Sequence, residues 1–147
     1  MYKHLLVATD GSKQSDKAVA HAIALAKALG SRITAFYAAP DYPEPMYSEA
    51  IIYERMPRLD YVAAADADAG RILARVVKRA ANAGVKCDTR HVLSAVPWES
   101  ILAAAKKAKC DVVVMGSHGR GGLAALLLGS ETQRVLAHSK LPVIVVR

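Results

Sequence analysis

Two short runs in this chain, LLVAT at residues 5–9 and VVVM at 112–115, stay apolar at consecutive positions instead of alternating with polar ones. A strand with one wet face alternates in character, so runs like these belong to strands covered on both sides. Helices must do the covering, and the sequence between the runs supplies them. SKQSDKAVAHAIALAKALG (12–30) places Ala18, Val19, Ala22, Ile23, Ala26 and Leu29 at three- and four-residue spacings, the stripe of an amphipathic helix. Ser12 suits its N-terminal cap and Gly30 its C-terminal one.

The same alternation continues along the chain. Strands are expected at 4–9, 32–39, 85–93, 111–116 and 142–147. An alanine-rich helix over 60–83 carries Ala65, Ala69, Ile72, Leu73, Val76, Val77 and Ala80 on one face and stops at Gly84. Pro97 opens a helix through Ala108, and a last helical stretch ends near His138. Five strands separated by helices specify an α/β fold, a single Rossmann-like open parallel sheet with helices on both faces. The strand at 85–93 sets Lys86, Asp88 and Arg90 on one side of its pleat and reads as an edge. The order 3-2-1-4-5 with right-handed crossovers satisfies this. Residues 1–147 fit one domain, long enough to bury one full core. Segment 40–58, with four prolines and three tyrosines, resists the scheme. It is either a lid or contact surface, or a variable surface excursion.

Composition excludes several classes. No segment reaches the roughly 18 apolar residues a bilayer span needs, since the best candidate, 18–29, is interrupted by His21 and Lys27. The N-terminal residues lack the pattern of a secretory signal. Cys87 and Cys110 make neither a disulfide framework nor a metal spacing, and the expectation is a cytoplasmic protein with free thiols. The net charge of +7 raises the question of nucleic acid. Its charges are scattered, and Phe36 and Trp98 are single, so no interleaved stacking platform forms. A solvated basic surface is the reading kept. Trp98 beside Pro97 reads as a packing residue, with a ligand platform as the alternative.

The densest chemistry lies in GSHGRGGLAALLLGS (116–130). Clustered glycines mean that something approaches the backbone too closely for a Cβ. In this topology the carboxyl ends of strands 1 and 4 flank the crevice where strand order reverses. Strand 1 brings TDGS (9–12) there and strand 4 brings the glycines. Backbone N–H groups followed by a helix start attract anions, so a phosphate is the expected visitor. A tight strand-to-helix turn with incidental glycines is the alternative. The spacing is G-x2-G-x9-G-S, on Gly116, Gly119, Gly129 and Ser130. No G-K-[ST] of a Walker loop follows, and no G-x-G-x-x-G follows the first strand.

Taken together, ATDGS (8–12), VVMGSHGRGG (113–122) and the stretch from Gly129 to Arg147 resemble the nucleotide-binding signature of the universal stress protein family. The resemblance implies ATP binding, in the branch that keeps the glycines, and a stress-response or nucleotide-sensing role. It implies that Asp10, with Ala8 and Thr9, faces the nucleotide and that Ala38 offers backbone to adenine. Met115 and Gly116 would border ribose and phosphates, with Gly119, Gly129, Ser130, Glu131 and Thr132 around the phosphate chain. Asp10 is the residue expected to share Mg²⁺ with the phosphates. Glu131 departs from the family, which more often has a small apolar residue there, and Lys13, His118 and Arg120 are near enough in sequence to compensate its charge. His118 reads as a phosphate-loop or solvent-facing residue, or as a base in a slow ATP hydrolase or transferase. A binding module is preferred to an enzyme, and a dimeric interaction protein without nucleotide is a further alternative. PVIVV (142–146) ends the strand order with no charge inside it, so a homodimer through this edge is expected.

Overall fold

The computed structural model describes residues 1–43, 56–119 and 127–147. Strand and helix alternate as β1 (His4–Ala8), α1 (Lys13–Leu29), β2 (Arg32–Pro40), α2 (Arg58–Asn82), β3 (Cys87–Ser94), α3 (Pro97–Ala108), β4 (Val112–Gly116), α4 (Ser130–His138) and β5 (Val143–Val146). The strands pair in parallel in the order β3-β2-β1-β4-β5. Leu5 stands beside both Ile33 and Val112, which fixes β1 as the middle of the sheet.

The pleat of β1 divides two cores. Leu5 and Val7 face α1 and α2, joining Val19, Ile23, Ile72 and Val76. Leu6 faces α3 and α4, joining Phe36, Ile101, Met115 and Val135. Leu5, Leu6, Val7 and Val112–Val114 have no exposed surface, as the unbroken apolar runs require. β3 is the polar edge, largely exposed from Asp88 to Val92.

Local chemistry sets the helix limits. The Ser12 hydroxyl accepts from the Ser15 amide at 3.2 Å, and Gly30 ends α1 at φ 65. Pro97 takes the first turn of α3. Two stripe residues are corrections: Leu29 is 44% exposed and Val77 36%, because each lies at the margin of its apolar face, beyond the sheet's reach. Of segment 40–58, Pro40 closes β2 and Arg58 opens α2, and 44–55 lies outside the described residues.

Candidate functional site

The loops after β1 and β4 leave the sheet side by side, as the topology dictates, and a cavity of about 570 Å³ opens beyond them. That is within the range of small-molecule sites. Its apolar part comes from Phe36, Ala38, Pro40, Pro97, Ile101 and Met115, on β2, α3 and β4. Its polar part comes from Thr9, Asp10, Ser15, His118, Ser130, Glu131 and Thr132, together with Gly116, Gly119 and Gly129.

The β1 loop is held by its own hydroxyls. Thr9 Oγ1 lies 3.0 Å from Ser15 Oγ and accepts from the Gly11 amide at 3.1 Å. Asp10 Oδ1 accepts from the Ser12 amide at 2.9 Å, which fixes the carboxylate at the cavity wall. After β4, the Gly129 amide donates to the Ser117 carbonyl at 2.7 Å, closing the loop onto the start of α4. Gln14 on α1 donates to Ser117 Oγ at 3.2 Å and to the Val146 carbonyl at 2.9 Å.

The glycines turn out to be crowded by the chain itself. A Cβ on Gly116 would meet the His118 carbonyl oxygen at 3.2 Å and the Gln14 carbonyl oxygen at 3.3 Å. On Gly129 it would meet His118 Cα at 3.1 Å, and on Gly119 the Asp10 carboxylate at 2.6 Å. Contacts within the chain are thus one reason that Gly116, Gly119 and Gly129 carry no side chain. Loop packs on loop, and a ligand approaches a surface that has already excluded side chains.

Most residues anticipated for this site meet at it: Ala8, Thr9, Asp10, Ala38, Met115, Gly116, His118, Gly119, Gly129, Ser130, Glu131 and Thr132 all line the cavity. Arg120 lies outside the described residues, and Lys13, exposed at the start of α1, does not line the cavity. Two side chains are already engaged. The buried Thr132 hydroxyl donates to the Gly116 carbonyl at 3.0 Å, tying α4 to the end of β4. Glu131 Oε2 accepts from the Trp98 amide at 2.8 Å, capping α3 where Val96 supplies no side-chain cap. Trp98 packs as a half-buried residue, stacked on His138 with centroids 4.5 Å apart.

Sequence reasoning missed Ser15, Phe36, Tyr37, Pro40, Pro97, Ile101, Leu127 and Leu128. For Pro97 and Ile101 a signal existed: α3 must start at the same end of the sheet as the glycine loop.

In α4 the first intrahelical bond runs from the Gln133 amide to the Gly129 carbonyl at 3.0 Å. The amides of residues 130–132 thus have no acceptor within the helix, and they lie at the cavity with the positive end of the helix dipole. The lining offers apolar surface to a flat ring and helix-start amides to an anion.

The model of the universal stress protein family matches residues 1–147. A universal stress protein of Thermus aquaticus, in the QAH/OAS sulfhydrylase 3′ region, is 36% identical, with all of both chains covered. Universal stress protein MJ0531 of Methanocaldococcus jannaschii is 35% identical, over 100% of this chain and 83% of its own. Among solved structures, hypothetical protein MJ0577 superposes with a TM-score of 0.82 at 27% identity, covering 99% of this chain and 96% of that one. A universal stress protein in complex with cAMP gives 0.73 at 28%, covering 99% and 97%.

Proposed function

The chain belongs to the universal stress protein family, and from that premise we propose that its cavity binds an adenine nucleotide, with ATP among its ligands. One observation carries the reading: a single cavity is lined both by the apolar Phe36, Ala38, Pro97 and Ile101 and by Gly116, Gly119, Gly129 and the first turn of α4. A base fits the first and a phosphate the second. The solved relative bound to cAMP supports an adenine ligand.

Asp10 is the hard oxygen ligand this wall offers to Mg²⁺. A phosphate-bound magnesium needs only one or two carboxylates from the protein, so the donor set fits. The metal would supply charge neutralisation between carboxylate and phosphate.

The protein acts in this reading as a one-domain cytoplasmic nucleotide sensor in the stress response, not as a catalyst. Among the described residues of the loop, Ser117 and His118 make a contact with the look of a nucleophile and base, at 3.1 Å. Ser117 is buried and accepts from Gln14, which makes it scaffold. The reading extends to a homodimer through β5, the apolar strand at one edge of the sheet.

Thermal denaturation with adenosine, AMP and ATP, each with and without Mg²⁺, tests the binding. A ligand at a hundredfold excess over its Kd adds about 2.7 kcal/mol. That corresponds to roughly 5–10 °C in Tm for a chain of this size. No shift with any of the three ligands overturns the reading.

A further inference from the structure

The described lining of the cavity contains two carboxylates, Asp10 and Glu131, one histidine, His118, and no lysine or arginine. The chain as a whole carries +7. Among the described residues, none of that positive charge lies on this wall. Glu131 is the more telling of the two acids. It sits in the first turn of α4 while its Oε2 takes the Trp98 amide in the first turn of α3. Two helix N-termini, both favourable to negative charge, thus meet on a carboxylate that belongs to the protein.

This charge is fastened in place. Swinging Glu131 into solvent would uncap α3, because Pro97 brings no N–H and Val96 no capping side chain. Trp98 is gripped by α4 at two points, its amide on Glu131 and its ring on His138 two turns later. A ligand in this cavity therefore shares it with a carboxylate held in place.

We infer that Glu131 makes the cavity selective by ligand charge, favouring an adenine nucleoside or monophosphate over bare polyphosphate and admitting ATP as its magnesium complex. This rests on the adenine-nucleotide reading above. Repulsion grows with each added phosphate, whereas the apolar slot holds the base equally in all three ligands.

Isothermal titration of wild type, Glu131→Gln and Glu131→Asp with adenosine, AMP and ATP, in EDTA and in Mg²⁺, tests it. The glutamine keeps an oxygen for the Trp98 amide and removes the charge. The aspartate keeps the charge on a shorter arm. In EDTA, the ratio of ATP to adenosine affinity rises about tenfold in Glu131→Gln, equivalent to about 1.4 kcal/mol. It changes less for AMP, and Glu131→Asp stays near wild type. Mg²⁺ shrinks the difference. Equal changes for all three ligands in Glu131→Gln, or an ATP ratio that does not move, overturn the inference while leaving the adenine reading intact. If adenosine, AMP and ATP all fail to bind wild type, the reading of the site falls and this inference with it.

Discussion

Gly119 and Asp10 should be energetically coupled through a single steric contact. A Cβ on Gly119 would lie 2.6 Å from Asp10 Oδ2, so Gly119→Ala must drive the carboxylate back by close to an ångström. The other oxygen of that carboxylate holds the Ser12 amide at 2.9 Å, and the retreat stretches this bond past useful length. A hydrogen bond to a charged acceptor contributes about 1.5–3 kcal/mol, and the half-buried position favours the lower end. Gly119→Ala should therefore cost about 1.5 kcal/mol, or roughly 3–6 °C in Tm. With Asp10→Ala already in place there is nothing to displace, and the same change should cost less than about 0.5 kcal/mol. Urea denaturation of the four proteins in this cycle gives the coupling directly. Additive effects would refute the argument and return Gly119 to an incidental turn residue.

Three further outcomes are expected. Thr132→Val keeps the buried shape but leaves the Gly116 carbonyl without its hydroxyl donor, and should lower stability by about 1–3 kcal/mol in urea. His4, buried and near Arg32, is held below its ordinary value of 6.5. The folded chain therefore binds fewer protons there than the unfolded one, and stability is lost as pH falls below 6.5 toward the folded value. Urea titrations near pH 7.5 and pH 5 should show the loss in wild type and a flatter profile in His4→Gln; Asp111, whose shift is also downward but from 3.8, acts in a more acidic window. Light scattering at micromolar concentration should show a dimer that Ile144→Lys or Val145→Pro converts to a folded monomer, and a monomeric wild type would remove β5 as an interface.

The sheet was legible because its signals are local or repeat at short range. LLVAT and VVVM announce burial on both faces, Ser12 and Gly30 cap α1 with their own chemistry, and the order follows from placing the polar strand at an edge. Where the apolar stripe runs out is set by the neighbouring layer, so Leu29 and Val77 could not be separated from their buried neighbours by spacing. The cavity's glycine side was visible in the motif. Its apolar side was not, because Phe36, Pro40 and Ile101 look like ordinary strand and helix residues until the layers assemble. Glu131 stood out as a charge beside a phosphate loop. That it reaches back 33 positions to the Trp98 amide is tertiary information, with no pattern to announce it.

Gln14 gives the sheet edge and the loop after β4 a common part. One amide nitrogen serves the Val146 carbonyl at the end of β5 and the Ser117 hydroxyl beside the glycines. If a chain pairing with β5 moves that carbonyl, the loop after β4 feels it; if a ligand moves Ser117, the edge feels it. Linkage makes such an influence reciprocal: whatever factor the ligand applies to association, association must apply to the ligand. The Ser117 amide also donates to the Val146 carbonyl, at 2.8 Å, so replacing Gln14 by Leu would remove the side-chain half of this connection and weaken the linkage, leaving the backbone half in place.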